Sequence, residues 1–172
     1  MDLTIEPVRP HAADAVTALR RYFTEIVGRY HGRQATEQEV DAAIADEPSD
    51  DLRPPSGLLL LARRDGETVG CAGLRLLRPE TAELTRLYVD REARGLGLGE
   101  RLVRAVEEAA RELGARFVRL DTRRDLVEAR TLYARLGYRE IPAYNDGKYA
   151  DHWFEKRLSP APTPPARRPS SC

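Results

Sequence analysis

The sequence predicts a mixed α/β fold, a single sheet with antiparallel and parallel neighbours and helices packed against it. Three observations carry that prediction. Apolar runs at residues 58–63 and 68–77 bracket Asp65-Gly66, a turn signal, and so read as a β-hairpin. An alternating stretch ending in Leu87-Tyr88-Val89 feeds a run of glycines, after which the apolar residues switch to helical spacing. A second alternating stretch, residues 116–122, follows that helix, and a right-handed crossover lays it parallel to the first.

Length and charge narrow the class further. A chain of 172 residues suits one domain with one sizeable core. The 28 basic and 28 acidic side chains cancel, so no broad basic field points to nucleic acid or to an anionic membrane. The longest apolar run, residues 58–62, is too short to cross a bilayer. Cys71 and Cys172 lie far apart, which argues against a disulfide framework and for a reducing cytoplasm. The opening residues lack the basic start and apolar stretch of a secretion signal, in keeping with a cytoplasmic location. No cluster of ligand-type side chains suggests a metal.

Taken in order, residues 3–8 alternate and open the chain as a strand. Ala15, Leu19, Tyr22/Phe23 and Ile26/Val27 then form a helical stripe from residue 12 to about 30, closed by His31-Gly32. Thr36 with Glu39 makes a capping box for a second helix through about residue 45. Acids and prolines mark residues 46–57 as a loop. After the hairpin, Pro79-Glu80-Thr81 turns the chain into a central strand at Ala82. Alternation puts Leu84, Arg86 and Tyr88 on one face of it, and Thr85, Leu87 and Val89 on the other.

The next helix is expected to bury Leu98, Leu102, Val106, Ala109 and Leu113, with Gly114 as its stop. Residues 125–136 form a further helix with Ala129, Leu132 and Leu136 inward and Gly137 at its end. Residues 138–141 and 149–158 are the last strands, joined by Pro142-Ala-Tyr-Asn-Asp-Gly147. From Ser159 onward, five prolines among fourteen residues leave little to bury. The domain is therefore assigned to residues 1–158, and residues 159–172 to a disordered tail.

Glycines between a strand and a helix let the backbone turn tightly and let an anion come close. The free N–H groups of the first helical turn, with the helix dipole behind them, favour negative charge there. Arg94 adds a donor suited to a phosphate. The dinucleotide fingerprint fails, because counting from Gly95 its last glycine falls on Glu100. The nucleotide P-loop fails too, since Gly99-Glu-Arg stands where Gly-Lys-Ser/Thr is needed. A glycine-rich helix start that holds no ligand stays open at this point.

Arg94-x-x-Gly97-x-Gly99, behind a strand ending Leu87-Tyr88-Val89, resembles the coenzyme A-binding signature of the GNAT N-acetyltransferase superfamily. Ala129-Arg-Thr-Leu-Tyr-Ala-Arg-Leu-Gly-Tyr138 resembles the A-x-x-L-Y-x-x-x-G-F/Y helix of the same family, and the order of elements matches along residues 3–158. Two positions depart from the pattern: Leu126, where the family often has an Asn touching the cofactor, and Arg91, where it often has Pro. The resemblance implies a centrally splayed sheet and acetyl-CoA as co-substrate. The pantetheine arm would lie along the backbone of Leu87, Tyr88 and Val89 like an added strand. The pyrophosphate would sit on the amides of Arg94, Gly95, Leu96, Gly97, Leu98 and Gly99.

The same resemblance implies Glu83 as a base acting through water, against the plainer reading of a solvated strand-end charge paired with Arg86 or Arg75. It implies Tyr133 as the acid that protonates the leaving thiolate, against an aromatic that fills a groove, and the Val89 N–H as the oxyanion donor. It draws the acceptor pocket from the first two helices (Arg20, Arg21, Tyr22, Tyr30) and the final hairpin (Tyr144, Asn145, Tyr149, His152). Plainer readings are a surface turn for residues 144–149 and a satisfied strand histidine for His152. The expected activity is acetyl transfer to a primary amine of a small molecule: an amino acid, polyamine or aminated metabolite. Acetylation of a protein N-terminus or lysine, and a non-catalytic acyl-CoA-binding module, are the alternatives. A homodimer is carried as analogy alone.

Overall fold

The structure, a computed structural model, describes residues 2–160. Its strands are β1 (Leu3–Val8), β2 (Gly57–Arg64), β3 (Glu67–Arg78), β4 (Thr81–Val89), β5 (Phe117–Thr122), β6 (Arg139–Ile141) and β7 (His152–Arg157). Its helices are α1 (Ala13–His31), α2 (Glu37–Asp46), α3 (Leu98–Glu112) and α4 (Val127–Arg135). The strands form one sheet in the order β1-β2-β3-β4-β5-β7-β6, antiparallel throughout except where β4 meets β5. Among the described residues no helix is long and apolar enough to cross a membrane. The expected tail falls outside the described residues apart from Ser159 and Pro160.

Local chemistry set most of these elements where the sequence put them. Asp65 and Gly66 both take left-handed backbone (φ 51° and 86°), the pair of angles a two-residue hairpin turn requires. The Thr36 hydroxyl accepts the Glu39 amide at 3.2 Å while the Glu39 carboxylate accepts the Thr36 amide at 3.0 Å, completing the capping box. Boundaries moved by a few residues: α4 is shorter at both ends than expected, and β7 begins at His152 rather than 149.

Each face of the sheet has its own core. Leu74, Ala82, Leu84, Leu102, Val103, Val106, Val118 and Leu120 fill the α3 side. Ala15, Ala18, Leu19, Leu52, Leu59, Leu61 and Cys71 fill the α1 side. The α3 stripe runs through Leu98, Leu102, Val103, Val106 and Ala110, so the expected inward place of Leu113 is corrected. The helix ends at Glu112, which leaves Leu113 37% exposed. Glu107 lies in this buried stripe and is neutralised across the core, accepting the Tyr138 hydroxyl and the Lys156 ammonium, each at 3.0 Å.

The centre of the sheet is irregular in two ways. β4 pairs with β5 only over Thr81–Glu83 against Phe117–Arg119, and beyond that point the strands part. Against β3, Thr85 faces Gly73 but Tyr88 faces Cys71, so β4 carries one extra residue between those rungs. That residue region holds Arg86 at φ 56°. An inserted residue reverses the side-chain alternation. Leu87 and Val89 therefore share the α3 side with Leu84, while Arg86 and Tyr88 face α1. The expected grouping of Leu84 with Arg86 and Tyr88 is overturned, because a period of two cannot register an insertion.

A non-glycine residue in left-handed backbone costs about 1–3 kcal/mol. Arg86 offsets that with its buried side chain. Its guanidinium donates to Ser49 Oγ at 3.2 Å, Thr85 Oγ1 at 2.9 Å and the Glu47 carbonyl at 3.0 Å. It also lies over the Phe23 and Tyr22 rings at 5.1 and 5.9 Å. The Arg86 carbonyl accepts the Cys71 thiol at 3.2 Å. Burial pushes that thiol up to about 12, so it stays a neutral donor in the core. Removing the anchor with Arg86→Ala is expected to cost about 3 kcal/mol of unfolding free energy in urea, because the strain stays and the charged-donor bonds go. A loss below about 0.5 kcal/mol would show that the bulge stands without this side chain.

Candidate active site

The parting of β4 from β5 leaves a gap that begins just past Glu83 and Arg119. Its β4 wall carries free donors. The Asp90 N–H bonds back to Val69 of β3 at 2.8 Å, so the Val89 N–H, one residue earlier, points the other way, into the gap. A donor in that position can meet a carbonyl oxygen on which negative charge develops.

At the mouth of the gap the chain forms a short 3₁₀ turn, Arg91–Ala93, and then α3. Gly95 and Gly97 both adopt left-handed backbone (φ 81° and 73°), and Gly97 caps α3 with no side chain of its own. Among the described residues the amides of residues 95–100 donate to no protein acceptor; the first helical bond is Arg101 N–H to Gly97 O at 3.1 Å. A Cβ placed on Gly95 or Gly97 would meet nothing within 4 Å, so the space before this row of donors is open. Unpaired amides at a helix N-terminus, facing open space, fit the pyrophosphate of acetyl-CoA.

Two expectations change here. The Arg94 amide is engaged with Arg91 O at 3.3 Å, so the free row starts at Gly95. The Arg94 guanidinium bonds to Glu25 of α1 and, at 3.0 Å, to the Val89 carbonyl. It ties the loop to α1 and to the end of β4, where sequence reasoning gave it the phosphate alone.

α4 closes the far wall. It touches the start of α3, where a Cβ on Gly99 would come 3.4 Å from Leu132. This seats Tyr133, buried, edge-on to Tyr138 at 5.7 Å and beside Phe154 at 6.3 Å. Among the described residues its hydroxyl makes no hydrogen bond. Burial pushes its pKa far above the ordinary phenol range, and the neighbouring Tyr22 and Asp121 push it further, so it remains protonated.

Glu83 stands where the strands part; it pairs with Arg75, as the plainer reading had it, but is buried and not solvated. One oxygen lies 3.1 Å from Arg75 Nη1 and the other accepts the Tyr144 hydroxyl at 2.8 Å. Arg75 in turn holds Asp51 at 2.9 Å. The Tyr144 ring lies against Arg119 at 5.4 Å, and burial together with the Glu83 charge raises the Tyr144 pKa well above its usual value.

Next to it, Asn145 donates to Asp121 Oδ2 at 2.8 Å and accepts from Trp153 Nε1 at 2.9 Å. Asp121 was not among the residues expected from sequence. The alternation of β5 was the available signal, since it sets Arg119 and Asp121 on the face that Glu83 shares.

The remaining expected acceptor residues divide. Tyr22 reaches this region, half-buried beside Arg86, its pKa pushed up to about 12 by burial with Arg86 partly opposing. Tyr30 packs edge-on to Tyr149 at 4.9 Å, joining α1 to the loop between β6 and β7. His152 goes elsewhere. It lies on the α3 side with Phe154, its Nδ1 2.7 Å from Glu140, as the plainer reading had it. Arg20 and Arg21 line a groove of about 510 Å³ between α1 and the end of β4, bordered also by Tyr88 and Arg94, and pair with Asp41 and Asp90.

Residues 17–138 match the Acetyltransferase (GNAT) family. The chain belongs to the GNAT acetyltransferases. An uncharacterized N-acetyltransferase of Schizosaccharomyces pombe is 36% identical over 115 residues, which are 66% of this chain and 70% of that protein. The N-acetylaspartate synthetase of Homo sapiens is 32% identical over 130 residues, 75% of this chain but 42% of that one. The crystal structure of the PaiA N-acetyltransferase of Thermoplasma acidophilum, solved with coenzyme A, superposes with a TM-score of 0.73 at 22% identity, covering 92% of this chain and 100% of that one. Acetyl-CoA is the co-substrate of this GNAT acetyltransferase. Gly97→Ala sets a methyl before the free amides, and about a tenfold rise in the acetyl-CoA Kd, roughly 1.4 kcal/mol, is expected by isothermal titration. An unchanged Kd would move the phosphates off this loop.

Proposed function

We propose that this GNAT protein transfers the acetyl group of acetyl-CoA to a primary amine of a small molecule. The observation that carries the reading is the contact the β6–β7 loop makes across the acceptor side. The loop between β6 and β7 reaches across the sheet, with Tyr144 on Glu83 and Tyr149 against Tyr30 of α1. An open groove between α1 and the last hairpin, which a protein acceptor needs, is bridged by that contact. The lining is polar and aromatic, as suits a small polar amine. The similarity to N-acetylaspartate synthetase supports an amino acid as one acceptor within this class.

Acetyl-CoA supplies the activated acetyl group; the chain's own residues must hold it, stabilise the oxyanion and move protons. The Val89 N–H serves the developing oxyanion. Expelling a thiolate of pKa ~8.5 at pH 7 costs about 2 kcal/mol, which a proton from Tyr133 offsets. A raised pKa suits that task, because the hydroxyl is still protonated when the amine has become neutral. Deprotonating a lysine-like amine of pKa ~10.4 at pH 7 costs about 4.6 kcal/mol, against about 1.4 kcal/mol for an α-amine near ~8. Glu83 was the expected base. With both oxygens engaged by Arg75 and Tyr144, it is better suited to holding the loop in place.

Thiol release on incubation with acetyl-CoA and a panel of amines tests this reading. Turnover with a small primary amine is the expected result, and binding without turnover on any acceptor would select the non-catalytic module. Tyr133→Phe should lower kcat by about 10²-fold, within the range of general acid catalysis, and leave the acetyl-CoA Kd within twofold. Since Tyr133 stays protonated far into the alkaline range, kcat/KM should climb with pH as the amine becomes neutral, with no fall near pH 9–10. A fall there that vanishes in Tyr133→Phe would contradict the raised pKa.

A further inference from the structure

Two carboxylates face the acceptor side of the gap, and they are held very differently. Glu83 is buried and bonded at both oxygens. Asp121 is exposed, makes no ion pair among the described residues, and accepts one hydrogen bond, at Oδ2 from Asn145.

The orientation of that amide is fixed by its surroundings. Asn145 Oδ1 takes the Trp153 indole N–H at 2.9 Å and the Gly147 amide at 3.2 Å, so its NH₂ end must face Asp121. Asp121 is thereby held by a neutral donor that leaves its charge uncompensated and its Oδ1 free. It stands on β5 two positions beyond Arg119, the last residue paired with β4, and so on the lip of the splay. Its charge is felt by hydroxyls from three other elements: Tyr22 of α1, Tyr133 of α4 and Tyr144 of the β6–β7 loop.

We propose that Asp121 is the carboxylate that receives the acceptor amine and takes the proton from its nitrogen as the amide forms. This rests on the acetyltransferase reading above and names the group that reading left without a base. The acceptor is a cationic amine, drawn as ammonium to this uncompensated carboxylate. It sheds its first proton to water before attack. The neutral nitrogen then forms the C–N bond at the acetyl carbon. As the C–S bond breaks, the second proton passes from nitrogen to Asp121 and the sulfur takes the Tyr133 proton. Asp121 returns its proton through water to the Tyr133 oxygen, so one amine and one thioester give one amide, one thiol and the proton already released. Glu83 is a positioning residue in this scheme, acting through Tyr144.

Charge-removing, shape-keeping variants separate the two carboxylates. The full chain is assayed with acetyl-CoA and the best amine of the panel, as wild type, D121N and E83Q. D121N retains an acceptor for Asn145, so acetyl-CoA Kd should stay within twofold and thermal unfolding should be unchanged. Its kcat/KM at pH 7 should fall at least 10²-fold, against less than tenfold for E83Q.

The pH profile supplies a readout that a structural role would not move. D121N should recover disproportionately as pH rises toward the amine pKa, and D121E should regain at least tenfold over D121N. A D121N activity within threefold of wild type, or a larger loss in E83Q, overturns the role of Asp121 while leaving acetyl transfer intact. A wild type that acetylates no amine overturns both. Should D121N fail to fold, Asp121→Ser is read by the same criteria.

Discussion

Arg86 carries left-handed backbone in the middle of a strand, and the geometry of the site depends on its being held there. The extra residue it accommodates turns the end of β4 through one side-chain step, so that Val89 keeps its N–H toward the gap while Tyr88 packs toward α1. A regular strand could have gone on pairing with β5 past Glu83. Here pairing stops at Glu83, just before the bulge, and a strand edge that would normally be covered is left open for a ligand to pair with. Burying a guanidinium is costly unless its donors are met. Here they are met by Thr85 and by Ser49 and Glu47, and the last two bonds also pin the loop after α2 to the sheet.

The splay then divides the labour between the two faces. On the α3 side lie the free amides at the start of α3 and the protonated phenol of Tyr133 on α4, the two features that the proposed seating of acetyl-CoA uses. On the α1 side, charged and aromatic groups from β3, β4, β5 and the β6–β7 loop meet in a linked set that runs from Asp51 through Arg75 and Glu83 to Tyr144. The proposed reaction is placed at the opening between them, with Asp121 beyond the last β4–β5 rung and Tyr133 on α4.

Much of this was legible in the chain, for local reasons. The capping box at Thr36, the Asp65-Gly66 turn and the glycine-led start of α3 are each fixed by a few neighbouring residues, and each was found where composition put it. The bulge was not legible. Leu84, Arg86 and Tyr88 alternate correctly on paper, and only pairing with β3 reveals the insertion. Long-range ion pairs were also out of reach. Arg94 had the look of a phosphate ligand, yet Glu25, distant in sequence, claims its guanidinium. Asp121 was overlooked because it lies in neither family signature, although the alternation of β5 placed it beside Arg119.

Amide hydrogen exchange on adding acetyl-CoA reads the central claim directly, since it reports individual main-chain donors. Val89 and residues 95–100, which have no protein acceptor among the described residues, should slow markedly, and the already paired Asp90 should change little. Saturation of the protein with acetyl-CoA while Val89 and residues 95–100 exchange as fast as before would mean that the thioester carrier binds outside the splay.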